Sequence, residues 1–340
     1  MNKNNRSSFW ILTIIGFTVL VALLFVNGEH WLREVLLYLS GAVWARQFIT
    51  GLPLARRVAS RFVAGETSAD AMRAGRELNA AGFRVSLDFL GESVTTAAEA
   101  EAARDEILAL LDEIAAAGLD ANVSVKPSQL GLNIDPDLVY ANIQAVVQAA
   151  ANNDNWIRLD MEDSNAVDRT LALYRQLRFT EGLDNVGVVI QSYLYRSEAD
   201  VAELIAAGAR VRLCKGAYAE PPERAFPHKD DTDANYARLM RMMLSADSLA
   251  QGTWLALATH DERLIEAAIH FLKDHELPPT TIEFQMLYGI RRELQQSLLA
   301  AGYPVRIYVP YGRAWYPYFV RRLAERPANL WFFISNYFQN

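Results

Sequence analysis

The feature that most constrains this chain is an alternation. Short runs rich in valine, isoleucine and leucine recur eight times between residue 84 and the C-terminal region, and longer stretches with apolar residues at helical spacing separate them. The runs predict strands at 84–90, 122–126, 157–161, 187–193, 211–215, 255–259, 282–287 and 305–309. The stretches between them predict helices over 95–117, 137–152, 166–178, 198–207, 233–248, 262–275 and 291–301, after an earlier polar helix over about 67–81. Strands joined by crossovers of a dozen or more residues pair in parallel. Eight such units predict an α/β protein whose sheet closes into a (β/α)8 barrel, with an open doubly wound sheet as the alternative. No Pro/Gly/Ser-rich linker, internal repeat or low-complexity tract interrupts the series.

The chain has 340 residues, with 33 basic against 40 acidic side chains and a formal charge of -7, so it carries no global field that would attract nucleic-acid phosphates. Its one cysteine, Cys214, cannot form an internal disulfide, and no Cys/His spacing suggests a metal site, which fits a reducing compartment. The N-terminus departs from this average. Residues 9–26 contain no charged side chain, and as a helix they would span roughly 27 Å, enough to cross a hydrocarbon core. A transmembrane anchor is the leading reading. A cleaved signal peptide is the rival, because Lys3 and Arg6 precede the run, although no small-x-small cleavage site follows it. A buried or oligomer-forming helix is the third. Lys3 and Arg6 favour an N-terminus inside, whereas Arg33, Arg46, Arg56 and Arg57 favour keeping the following domain inside. The expected organisation is an apolar anchor at 1–28, a helical region at 29–81 and the barrel at 82–340.

In a (β/α)8 barrel the chemistry gathers at the C-terminal ends of the strands. Polar residues stand there on nearly every strand: Asp88, Lys126, Asp160 with Glu162, Gln191, Arg212 with Lys215, Thr259 with His260, Gln285, and Tyr308. One buried Lys or Asp is readily explained as a structural pair, but a set spread around the whole barrel is not. Neither GxGxxG nor GxxxxGK[ST] occurs, which argues against a Rossmann dinucleotide site and a P-loop, and HExxH and GxSxG are missing too. Of the five histidines, His270 and His275 fall on an outer helix and His30 and His228 lack an interpretable setting. His260, at a strand end, is the one placed in a site.

After the eighth strand, Tyr318, Arg321 and Arg322 are spaced i, i+3 and i+4, so a helix there presents a phenol ring and two guanidinium groups on one face. Such a pair under an aromatic ring can clamp a carboxylate bidentately while the ring covers an apolar body. The plainer alternative is a solvated basic face, weakened by the aromatic density of Trp315, Tyr316 and Tyr318.

The segments QSYLYRSEADVAELIAAGARVRLCKGAY, LALATHDERLI, EFQMLYGIRREL and VRIYVPYGRAWYPYFVRRLAERPANLWFF resemble the proline dehydrogenase family in its monofunctional bacterial form, from about Ala55 to the C-terminus. The resemblance implies a distorted barrel holding FAD at the strand C-terminal ends, which would account for a flavoenzyme without GxGxxG. It implies cofactor contacts for Gln191, Arg212, Lys215, Gly216, Thr259, His260, Gln285 and Glu325. It also implies substrate contacts for Lys126, Tyr218, Leu287, Tyr308, Tyr318, Arg321 and Arg322, with Lys126, Asp160 and Arg212 at the reacting centre. The implied reaction is oxidation of L-proline to 1-pyrroline-5-carboxylate by hydride transfer from ring C5 to flavin N5. Electrons would then pass to a membrane quinone, from a catalytic domain on the cytoplasmic side of a bacterial inner membrane.

Proline's own chemistry agrees with this set. A carboxylate and an ammonium on an apolar ring call for cations at one end, which Arg321, Arg322 and Lys126 supply, an acceptor near the nitrogen, and aromatic or aliphatic walls from Tyr308, Tyr318 and Leu287. Asp160 is expected to pair with Lys126, and Arg212 to stabilise negative charge on the flavin. Two departures from the family pattern stand out: Cys214 replaces an aliphatic residue and reads as a small buried hydrophobe, and Ala219-Glu220 replaces a larger residue after KGAY. The alternatives are a folate-reducing flavin barrel, which would not need the Tyr-x-x-Arg-Arg clamp, and a membrane-tethered binding protein without turnover.

Overall fold

The computed structural model describes residues 58–91 and 94–325, with side chains as far as residue 322. These residues fall into two units, 62–313 and a second to which 58–61 and 314–325 belong. The apolar run 9–26 lies outside the described residues, among which no helix is long and apolar enough to cross a membrane.

Residues 62–313 form the barrel. Its strands are β1 Arg84–Phe89, β2 Ala121–Val125, β3 Ile157–Leu159, β4 Val186–Gln191, β5 Arg210–Cys214, β6 Trp254–Ala258, β7 Ile282–Leu287 and β8 Val305–Tyr311. All neighbours pair in parallel in chain order, and β8 returns to β1 through Ser86↔Tyr308 and Asp88↔Pro310, which closes the sheet. The helices of this unit are α1 Ser68–Ala80, α2 Ala97–Ala117, α3 Pro136–Asn152, α4 Val167–Arg175, α5 Ser197–Ala206, α6 Lys229–Met243, α7 Ala246–Ala250, α8 Glu262–Asp274 and α9 Arg292–Ala300.

Local chemistry sets the helix ends. Thr67 with Asp70, and Thr96 with Glu99, form reciprocal capping boxes that satisfy backbone donors at the starts of α1 and α2. Asp135 caps α3 ahead of Pro136, whose missing N–H costs nothing in the first turn. The helix expected over 233–248 is two helices. It starts at Lys229 and stops at Met243, and the Ser245 hydroxyl then accepts from the Ser248 N–H to begin α7. The helix expected over 166–178 ends at Arg175 and widens into a π-turn at Gln176–Thr180.

Each strand divides its residues between two surfaces. Val85, Leu87, Val123, Ile157, Val188, Leu213, Leu257, Phe284 and Ile307 are buried in the layer shared with the helices. The residues that alternate with them point into the barrel, and they are mostly polar. At the N-terminal end, Arg158 is fully buried; its guanidinium lies 4.7 Å from the Trp156 ring and 5.7 Å from the Trp254 ring, and Nη1 donates to the carbonyls of Val188 and Arg210. Beside it the buried Arg306 donates Nε to Glu283 Oε1 at 2.7 Å, and its Nη1 reaches Val85 O at 2.6 Å and Asn122 Oδ1 at 3.2 Å. Barrel interiors of this class are usually filled by branched aliphatics. Here buried charges fill the space: Arg306 and Glu283 are paired and hydrogen-bonded, whereas Arg158 satisfies only Nη1 by hydrogen bonds and otherwise lies against the Trp156 and Trp254 rings.

The second unit contributes α10, Trp315–Glu325. Trp315 meets Phe319 edge-on at 6.0 Å, and the Arg322 guanidinium sits 5.3 Å over the Tyr318 ring.

Candidate active site

The C-terminal ends of the strands carry a compact ionic cluster. Lys126 follows β2, where Pro127 opens a short 3-10 turn and ends the ladder because it has no N–H to give. Its Nζ donates to Asp88 Oδ1 at 2.8 Å and lies 3.3 Å from the Tyr308 hydroxyl. Asp160, expected as its partner, is within 3.7 Å, but Asp88 on the neighbouring strand is the closer carboxylate. The strong bonds of Asp160 go elsewhere: Oδ1 accepts from Arg212 Nη1 at 2.7 Å and Oδ2 from the Tyr308 hydroxyl at 2.8 Å. Burial first, then the nearby Asp160 and Asp88 carboxylates, push the Tyr308 phenol well above its usual range, so it stays protonated and donates.

Arg212 reaches across the barrel from β5. Its Nε donates to Gln285 Oε1 at 2.5 Å and Nη2 to Ser124 Oγ at 3.0 Å, and the guanidinium lies 5.1 Å over the Tyr308 ring. Residues from β1, β2, β3, β5, β7 and β8 thus meet in one connected network.

The other expected cofactor residues line the same rim. Gln191 ends β4 and donates Nε2 to the Glu162 carbonyl at 2.6 Å. Lys215, just after β5, pairs with Asp233 at 2.5 Å and Asp261 at 2.8 Å. Thr259 Oγ1 accepts the Asp261 N–H at 3.1 Å. His260 Nε2 accepts the Leu287 N–H at 3.1 Å, so this ring is neutral with its proton on Nδ1. That bond joins the rim of β6 to Leu287 at the end of β7. Gly216 takes φ 114°, and a Cβ there would stand 2.2 Å from the Tyr193 ring, so only glycine lets the chain turn so close to that aromatic wall.

Tyr218 lies on the loop after Gly216 and is 40% exposed. Tyr318, Arg321 and Arg322 share α10 in the second unit, where Tyr318 is buried and both arginines are half-buried. Glu325 closes that helix, and its side chain lies outside the described residues.

Sequence reasoning missed three contributors. Glu283 accepts from Arg306 and from Gln285 Nε2, the latter at 2.8 Å. Burial alone would raise the Asp261 carboxyl, but Lys215 and Lys229 hold it well below the usual carboxylate range, so it remains an ionised anchor for Lys215. Glu220, flagged only as a departure, accepts from the Ser164 N–H at 2.7 Å and from its hydroxyl, tying the loop after β5 to the loop after β3. Cys214 is half-buried, and burial pushes its thiol up to about 12, which leaves it protonated at neutral pH.

Two surface clefts, of about 630 Å³ and 460 Å³, open at the opposite end of the barrel beside Asp120, Trp156 and Arg306 and beside Arg210 and Trp254. Neither includes an expected site residue. The donor set at the strand C-terminal ends does fit a large polar cofactor: amides from β4 and β7, a guanidinium and an ammonium from β5, a hydroxyl and an imidazole after β6, and a glycine-lined turn. Among the described residues no group of three His, Cys, Asp or Glu side chains could hold a metal ion.

Comparison with known proteins points the same way. The family model described as proline dehydrogenase matches residues 71–334. A proline dehydrogenase of Deinococcus radiodurans is 43% identical over 281 residues, covering 82% of this chain and 89% of that protein. Proline dehydrogenase 2 of Bacillus subtilis is 39% identical over 277 residues, with the same coverages of 82% and 89%. Among solved structures, proline utilization A from Bdellovibrio bacteriovorus, inactivated by N-propargylglycine, superposes with a TM-score of 0.74 at 25% identity. That match covers 79% of this chain and 32% of the larger one, so this chain spans about a third of its length.

Proposed function

The chain belongs to the proline dehydrogenase family, and from that membership and the rim geometry we propose that it oxidises L-proline to 1-pyrroline-5-carboxylate with FAD as its cofactor. Gln191, Arg212, Lys215, Gly216, Thr259, His260, Gln285 and Glu325 would hold FAD, which when bound supplies the hydride acceptor for proline C5. The observation that carries this reading is Arg212, a buried cation that spans the barrel from Asp160 to Gln285.

The chain's own residues have three tasks. The family resemblance assigns Arg321 and Arg322 to the proline carboxylate, and the Tyr318 ring lies beside Arg322. Lys126, with Asp88 as its close counter-ion, keeps a positive charge at the pocket floor, and Tyr308 and Leu287 supply walls. Asp160 orients Arg212 and the Tyr308 hydroxyl together, so the cation and the aromatic wall are fixed before substrate arrives. Tyr218, on the loop after Gly216, is the further substrate contact the resemblance assigns.

In this reading a membrane quinone is the final electron acceptor. The apolar run 9–26 tethers a cytoplasmic catalytic domain beside it, which turns their encounter into an event at high effective concentration. The direct test is the visible spectrum of the purified full-length protein under anaerobic conditions. A flavin band that bleaches on addition of L-proline is the expected result. A flavin-loaded protein indifferent to proline would overturn the substrate, and a colourless one the cofactor.

A further inference from the structure

Gln285 has an amide whose two ends could, in isolation, face either way. In this barrel only one orientation is open. Arg212 can only donate, so it requires the Gln285 oxygen, which it meets at 2.5 Å. An ionised Glu283 can only accept, so it requires the Gln285 nitrogen, which it meets at 2.8 Å. Glu283 is 1% exposed, and although burial alone would raise its carboxyl, Arg306, Gln285 and Arg84 hold it below the ordinary carboxylate range and therefore ionised. The carboxylate is itself fixed by the Arg306 fork, Nε to Oε1 at 2.7 Å and Nη2 to Oε2 at 3.3 Å, and by Arg84 Nη1 at 3.1 Å.

Resting on the functional reading above, we propose that Glu283 is a positioning residue: by locking the Gln285 amide it aims Arg212 at the cofactor and substrate end of the barrel. It touches neither Arg212 nor the rim. Its influence passes through a single relay, Glu283 to Gln285 to Arg212, and Asp160 grips the same guanidinium from the other side at 2.7 Å. With Glu283 neutralised, the Gln285 amide is free to turn its NH2 toward Arg212. Two donors would then face each other, and the guanidinium would retreat.

The test uses the full-length flavin-loaded protein and two variants. Glu283→Gln removes the charge that selects the amide orientation. Glu283→Asp keeps a carboxylate for Arg306 but withdraws it from Gln285 Nε2. The expected results for Glu283→Gln are a kcat lower by about tenfold or more and a flavin midpoint potential, titrated with a chemical reductant, that moves to a more negative value. Glu283→Asp should move both in the same direction by a smaller factor, and it decides the question if Glu283→Gln fails to fold. A purely structural role would lower the melting temperature and leave the potential and kcat of the folded protein at parental values, and that outcome in either variant overturns the proposal. Because the potential is read without proline, a parent protein that holds flavin but ignores proline would sink the substrate assignment and still leave the Glu283 relay measurable. A parent protein that binds no flavin sinks both.

Discussion

Arg306→Met is expected to destabilise the barrel by an amount that depends strongly on pH. In the parent, Arg306 is 5% exposed and provides two of the bonds to Glu283, which has a side chain only 1% exposed. Arg306 also satisfies Val85 O and Asn122 Oδ1. Breaking one side of a buried pair costs about 3 to 5 kcal/mol when the survivor stays charged. The survivor can escape by taking up a proton, so the stranded-charge part of the cost is capped by the free energy of protonating a carboxyl with an ordinary value of about 4.3, at about 1.36 kcal/mol per pH unit. That ceiling is roughly 4 kcal/mol at pH 7.5 and roughly 1.5 kcal/mol at pH 5.5. Arg84 still reaches Glu283 at 3.1 Å, but with a side chain 46% exposed it is screened, so the charge part should fall somewhat below the ceiling, with a pH-independent loss added for the orphaned Val85 O and Asn122 Oδ1. The sign is fixed by linkage. In the parent, Glu283 is held below its ordinary value, so its contribution is present at neutral pH and is lost only as pH falls through the depressed value. In the variant, burial raises it, so the folded state binds a proton that the unfolded state lacks, and the deficit shrinks as pH falls. Urea unfolding followed by far-UV circular dichroism at the two pH values measures this, and Arg306→Met/Glu283→Gln should recover most of the loss. A deficit equal at both pH values would refute the reasoning.

Asp160→Asn removes the acceptor shared by Arg212 and Tyr308; kcat/KM for proline should fall by a factor corresponding to about 2 to 5 kcal/mol, read by steady-state assay with a soluble acceptor. Arg321→Met or Arg322→Met should weaken proline capture within the same range while the flavin-to-protein ratio holds, and unchanged kinetics in both would make the pair ordinary surface charge. Cys214, with its thiol pushed up to about 12, should be alkylated by iodoacetamide at pH 7.5 on the order of a thousandfold more slowly than an ordinary thiol, which intact mass spectrometry can follow. Removal of residues 1–28 should release the protein from membranes while flavin content and oxidation by a soluble acceptor persist; loss of flavin would make that segment part of the folded body.

All eight strands were legible because each is a short apolar run, most of them rich in β-branched residues, between stretches at helical spacing, and the structure has a strand at every expected place. The expected C-terminal ends of β1 to β6 run one or two residues too far, while β7 matches its expected range of 282–287. Lys126 follows directly on an apolar run, yet the ladder stops at Pro127 through a missing donor, whereas Asp160 and Ser192, just past their regular strands, still give their N–H to Val125 O at 2.9 Å and Cys214 O at 2.8 Å. At β8 the error ran the other way. The strand expected over 305–309 continues through Pro310 to Tyr311, and the Ala64 N–H donates to the Pro310 carbonyl at 2.9 Å. In the site, His260 and Arg212 stood out as polar residues at strand ends. Glu283 did not: in IEFQML a lone glutamate two residues before Gln285 reads as the solvent face of an alternating strand, and only closure brings Arg306 and Arg84 against it. Asp261 caps α8 and anchors Lys215, and the anchoring contact could not be read along the chain because it depends on β5 and β6 lying side by side.

The alternation along each strand, with aliphatics toward the helices and interlocked charges toward the axis, also bears on how such a barrel can change over generations. The aliphatic positions tolerate one-at-a-time drift among similar volumes, since each contributes roughly independently to burial. The axial positions do not. Arg306 without Glu283, or Glu283 without Arg306, leaves a stranded charge, whereas losing both together costs less stability than losing either alone. Sequence change on the axial face should therefore proceed in coupled steps separated by disfavoured intermediates, so that neighbouring axial residues are inherited as sets. A deep mutational scan would show this as strong pairwise epistasis between Glu283 and Arg306 and near-additivity between Leu87 and Leu257, although both kinds of residue are equally buried.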